Sequence, residues 1–258
     1  MIGTAELLGT GGLAAASGGV VAACAAVVML GAFVKGTLGI GMPLVAVPLL
    51  SLLIPAPQAI ALMAMPVLVS NAWQAFDTGV AWGSVRRFLP LIATLLLGTL
   101  LTVPMTLALS AQALNQVLAA VVLGALVLLC LPLRLDVAPP HERWWSAGVG
   151  VLSGAMGGVS SLSGPLIVSY LVSLRLPREV FIGSISVIYL SSALPLYLAM
   201  AAHGRLGAGD LALSTLALLP MAAGLALGQR LRGRLGETWF RRVLLSFLAA
   251  VAVVLALK

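Results

Sequence analysis

Two stretches of this chain have the composition of a small-ligand site. One reads Lys35-Gly36-Thr37-Leu38-Gly39-Ile40-Gly41-Met42-Pro43. The other reads Gly154-Ala155-Met156-Gly157-Gly158-Val159-Ser160-Ser161-Leu162-Ser163-Gly164-Pro165. Glycines let a backbone approach a ligand closely. The proline closing each stretch suits the first turn of a helix, where its missing N–H needs no partner. A helix starting there points its positive end and free N–H groups back at the break, which attracts anions. The first half thus predicts a substrate-binding set of Lys35, Gly36, Thr37, Gly39, Gly41 and, from the next span, Asn71. The second half adds Gly157, Gly158, Ser160, Ser161, Ser163 and Gly164. Each type has a plainer use. Small residues also let membrane helices pack closely. Lys35, just past an apolar element of 22 residues, could instead snorkel to the surface.

Catalytic chemistry is absent from these patterns. A serine nucleophile needs an activating base. The histidines are His141 and His203, both in predicted loops, and no span holds an aspartate pair. Cys24 and Cys130 lie inside apolar helices and form no C-x-x-C pair. No enzyme and no cofactor is predicted.

The elements that carry these stretches are membrane helices. Of the 258 residues, 61% are hydrophobic and 8% charged, with a mean hydropathy of +1.16. A soluble domain has about 25% charged residues. Residues 36–76, 88–133 and 144–174 carry no charge. Each run exceeds the roughly 20 residues that cross a bilayer. The net charge of +7 sits in short loops, so it reads as topology and not as nucleic-acid binding. Ten apolar elements are predicted, near 13–34, 43–54, 57–76, 88–109, 114–132, 145–160, 165–174, 180–200, 209–228 and 240–257. The second and seventh are too short to cross, since twelve helical residues rise only about 18 Å.

The order of elements repeats. A shift of 122 places residues 43–55 on 165–177 with six identities, including both flanking prolines, and places Gly36 on Gly158. The halves are expected at 1–134 and 145–258, joined by a linker at 135–144. Charge decides their orientation. If each long-plus-short pair returns to the side it entered from, one side holds Arg86, Arg87, Arg134, Arg143, Arg175, Arg178 and five arginines from Arg230 to Arg242. The other side keeps Arg205 and Lys258. Fusing each pair into one crossing removes that bias, so the positive-inside rule favours returning pairs. The fold expected is an all-α polytopic membrane protein of two inverted repeats. Each repeat is a broken helical hairpin plus three transmembrane helices, and both termini are periplasmic. Inverted repeats with broken helices are a hallmark of secondary transporters.

At these breaks the chain resembles the sulfite exporter TauE/SafE family. The resemblance rests on Gly36-x-x-Gly39-x-Gly41 leading into Val47-Pro48-Leu49-Leu50, and on Gly157-Gly158 followed by Ser163-Gly164-Pro165. It implies a multi-pass transporter of the bacterial inner membrane, acting on sulfite, sulfonates, sulfoacetate or related anions. Two features depart from the family pattern. Met42-Pro43 follows Gly41 where further glycines are usual, and Phe181-Ile182-Gly183-Ser184 lacks the basic residue common there. The expectation is alternating-access export of a small anion, with an anion channel or a membrane scaffold as the alternatives. The partners expected are the substrate and the lipid bilayer, with a homodimer left open.

Overall fold

The structure is a computed structural model that describes residues 18–38, 41–79, 82–130, 141–231, 246 and 249–254. Among the described residues the chain forms helices joined by short turns, with no strand. The first half contains α1 (Gly18–Leu38), α2 (Met42–Leu53), α3 (Ala56–Leu62), α4 (Ala64–Asp77), α5 (Trp82–Arg87), α6 (Leu89–Ala108) and α7 (Ala111–Cys130). The second contains α8 (Glu142–Ser160), α9 (Gly164–Ser173), α10 (Arg178–Ala202), α11 (Ala208–Leu216) and α12 (Leu218–Leu231). The element expected at 240–257 is helical at 249–254, and the 135–144 linker lies mostly outside the described residues.

The span expected at 57–76 is one apolar stretch interrupted at Met63. Pro66 is the cause, because it has no N–H for the carbonyl of Leu62. The Ser214 hydroxyl repairs the gap. It donates to Leu62 O at 2.8 Å and accepts from the Met65 N–H at 2.8 Å. The span holding Ser214 is itself interrupted at Ala217, three residues before Pro220. Both stretches, Ala56–Asp77 and Ala208–Leu231, remain long and apolar enough to cross a membrane, as do Gly18–Thr37 and Glu179–Ala202.

The 12-residue α2 and the 10-residue α9 fold back along the helices before them. A Cβ on Gly31 of α1 would lie 2.9 Å from the Cβ of Ala46 in α2. The Tyr170 hydroxyl of α9 lies 2.6 Å from Ser146 Oγ, near the start of α8. These are hairpins, the geometry that the charge distribution favours. A short helix in lipid would leave backbone groups at its ends unpaired, at several kcal/mol each, so it must sit within protein. Both do. Val45, Ala46, Val47 and Leu50 of α2 are fully buried, and Ile167, Tyr170 and Leu171 of α9 pack on Phe88, Leu91 and Leu95. Leu101, Leu198 and Leu219 are exposed on the outer surface, the apolar face that lipid requires.

Close helix crossings frame these hairpins. Gly150, Gly154 and Gly158 of α8 lie on the backbone of α6. A Cβ at Gly154 would come within 2.2 Å of Leu95 O. Likewise Gly36 of α1 lies on Leu225 and Gly228 of α12, and Gly224 of α12 lies on the Met29 backbone of α1. Such spacing lets backbones touch where hydrophobicity gives no drive for association between helices.

Candidate functional site

Lys35 lies one turn before the end of α1 and is 3% exposed. Its ammonium donates to Ser70 Oγ at 2.9 Å and to Asn71 Oδ1 at 2.8 Å, both on α4. Asn71 Nδ2 in turn donates to Val67 O at 2.9 Å, which turns Oδ1 toward the lysine. Both acceptors are neutral. Among the described residues the ion pair formed is Arg87–Glu142, so no carboxylate pairs with Lys35. Removing an ammonium from water costs several kcal/mol, whereas each neutral hydrogen bond returns about 1 kcal/mol. The ammonium has three donors and two are used here. A cation held this way is suited to an incoming anion. It does not snorkel, because α4 covers it.

The rest of the first break serves the backbone. Gly36 sits where a Cβ would lie 2.5 Å from Leu225 O, so its glycine is required by the α1–α12 crossing. Thr37 Oγ1 donates to Val34 O at 2.9 Å. Gly39 lies outside the described residues. Gly41 precedes α2 at φ +92°, with nothing within 4 Å of where its Cβ would be. Its glycine answers a left-handed turn and not a steric limit.

The second break is lined by hydroxyls. Ser160 Oγ donates to Met156 O at 2.6 Å and accepts from the Leu162 N–H at 3.2 Å. Ser161 adopts φ +61°, unusual for a residue with a side chain, and its hydroxyl lies 3.4 Å from the Tyr197 hydroxyl of α10. The Tyr189 hydroxyl donates to Gly164 O at 3.5 Å. Ser163 is buried and stands beside Gly157, whose Cβ would lie 2.9 Å from Ser163 Cβ and 2.8 Å from Ser192 Oγ. Gly158 faces α6, where Thr99 and Thr102 would meet its Cβ. Lys35, Ser70 and Asn71 thus gather on one side of α4, and Gly157, Ser161, Ser163 and Gly164 gather around α10. The helices α4 and α10 pack on each other, joined by Ser186 Oγ donating to Gln74 Oε1 at 3.3 Å.

A family model described as "Sulfite exporter TauE/SafE" matches residues 24–255. The chain belongs to this family. No curated protein and no solved structure matches it. The TauE/SafE proteins are membrane transporters that export sulfur-containing anions, and the multi-pass helical fold agrees with that.

Within this TauE/SafE chain, Ser70, Ser192, Tyr189 and Tyr197 were not part of the predicted set. A signal for two of them existed. The shift of 122 that aligns the halves carries Lys35 onto Gly157 and Ser70 onto Ser192. The same neighbours therefore recur, Lys35 with Ser70 and Gly157 with Ser192. The Arg87–Glu142 pair lies at the surface, between the end of α5 and the start of α8. The Glu142 carboxylate pushes the Arg87 guanidinium above its usual range, mainly through their hydrogen bond. Trp73, Trp144 and Trp145 are exposed, as residues of an aromatic belt are.

Proposed function

We propose that this protein exports a small sulfur-containing anion, of the sulfite, sulfonate or sulfoacetate class, across the bacterial inner membrane by alternating access. Lys35 supplies the charge, and the hydroxyls around the second break supply further donors. The observation that carries this is the burial of Lys35 against two neutral acceptors. An anion would neutralise it. An inside-negative potential adds direction. One charge moved through 100 mV is worth about 2.3 kcal/mol, roughly fifty-fold outward for a monoanion.

The alternation is supported by a mismatch between two crossings. Gly158 of α8 meets Thr99 and Thr102 of α6. The shift of 122 carries these onto Gly36, Met221 and Gly224. Gly36 instead meets Leu225, Gly228 and Gln229, about one helical turn further along. Two equivalent contacts held one turn apart suit a carrier in which each half adopts the other's register when access reverses. In this reading the termini are periplasmic.

The test is efflux of labelled sulfite from proteoliposomes under an imposed inside-negative potential. Lys35→Met is expected to cut the rate at least tenfold, with Lys35→Arg retaining more. Efflux by Lys35→Met at the native rate would remove Lys35 from the site.

A further inference from the structure

We propose that this protein holds an anionic phospholipid where α5 and α9 end and α8 begins, on the face that the charge distribution marks as cytoplasmic. The proposal does not depend on the transport reading. The Arg87 guanidinium of α5 donates to both Glu142 carboxylate oxygens of α8, at 2.5 and 2.9 Å, and lies 5.8 Å from the centre of the Phe88 ring. The Tyr170 hydroxyl of α9 donates to Glu142 O at 3.4 Å and lies 2.6 Å from Ser146 Oγ. Three segments far apart in sequence thus meet at Glu142. Each brings a further arginine. Arg86 is beside Arg87, Arg143 is beside Glu142, and Arg175 follows Tyr170 by five residues, just past the end of α9. All three are exposed, and among the described residues none of them has an ion pair. Glu142 is taken by Arg87, and Glu179 of α10 pairs with none of the three.

The positive-inside bias asks for arginines on this face, but not that they converge. Like charges brought together repel, and an anionic leaflet supplies the counter-charge that the fold does not. Arg175 also sits at φ +49°, the left-handed position after a helix that glycine usually takes. A charged side chain is kept there against backbone strain. The planar fork of a guanidinium matches the two free oxygens of a phosphodiester. Exposed apolar side chains stand next to each cation in the chain. Leu89 follows Arg86 by three residues, Trp144 and Trp145 follow Arg143, and Val172 precedes Arg175 by three. Headgroup donors and acyl-chain contacts therefore adjoin. A free phosphate would use the donors alone, whereas a lipid uses both.

Titration of the purified protein in neutral detergent with phosphatidylglycerol, read by native mass spectrometry, tests this. Phosphatidylcholine and glycerol phosphate are the controls. Phosphatidylglycerol is expected to stay bound where phosphatidylcholine does not. Arg86→Gln, Arg143→Gln and Arg175→Gln should each weaken it about fivefold, and the triple variant roughly a hundredfold. Arg230→Gln, on the same face at the end of α12, should leave it unchanged. Phosphatidylcholine bound as tightly, a triple variant binding like wild type, or Arg230→Gln acting as strongly as the other three would overturn the proposal. Glycerol phosphate bound as tightly as the lipid would overturn it in favour of a phosphate site.

Discussion

Lys35 Nζ donates to Asn71 Oδ1 at 2.8 Å and ties the end of α1 to the middle of α4. The amide is held for this role by its own bond to Val67 O. Asn71→Leu leaves the ammonium with Ser70 alone. A buried donor left short of a partner costs about 1–3 kcal/mol. The expected result is a fall of several degrees in Tm in detergent. Adding Lys35→Met should restore most of it. Strictly additive losses in the double variant would mean that the two side chains do not interact.

Gly36 and Gly41 are both glycines of the first break, yet substitution should separate them. Gly36→Leu drives a side chain into the α12 backbone, where even a Cβ lies 2.5 Å from Leu225 O. It is expected to abolish assembly of folded protein, read by size-exclusion chromatography. Gly41→Ala meets open space and keeps only the cost of a left-handed backbone, about 1–2 kcal/mol. Folded yield should survive. The reverse ranking would show that the α1–α12 contact is misplaced.

Ser214 holds together the interruption in the third span. Ser214→Ala removes both its bonds, to Leu62 O and from Met65 N–H. Loss of about 1–2 kcal/mol is expected, since polar contacts within membranes average below 1 kcal/mol each. Thermal unfolding followed by tryptophan fluorescence reads it. An unchanged midpoint would show that solvent or neighbouring groups replace the hydroxyl.

The register mismatch makes a cross-linking prediction. In the present arrangement Ala32 lies beside Gly224, with 3.1 Å between its Cβ and a Cβ built there. Exchange of registers would slide Ala32 about one turn back along this span, off Gly224 and toward Ala217, the counterpart of the Gly154–Leu95 contact. With an added thiol oxidant, the double variant Ala32→Cys with Ala217→Cys should form a disulfide between the two introduced thiols only when substrate or potential drives turnover. Absence of that disulfide in every condition would remove the exchange.

Much of the fold is written in its prolines and glycines. The predicted element at 165–174 appears as Gly164–Ser173, and that at 145–160 as Glu142–Ser160. Their limits are set by local backbone chemistry, so local sequence reveals them. The interruption at Met63 is different. Pro66 announces a lost bond, but its repair depends on Ser214, 149 residues from Met65. Lys35 posed the same difficulty. Snorkelling and burial use the same residue at the same place, and only Ser70 and Asn71, on another helix, decide between them. Gly36 and Gly158 could equally serve a ligand or a crossing helix. Their neighbours across α12 and α6 are distant in sequence.

Gly157 stands where the duplicated half places Lys35, and Ser192 Oγ with Ser163 fills the space a side chain would need. A second internal lysine has no room, so the stoichiometry of buried positive charge is fixed at one for this pair of positions. Under the proposed carrier cycle, a monoanion bound to Lys35 would give an electroneutral loaded carrier, and the empty carrier would return as a cation. The membrane voltage then acts on the return stroke and leaves the loaded stroke unaffected.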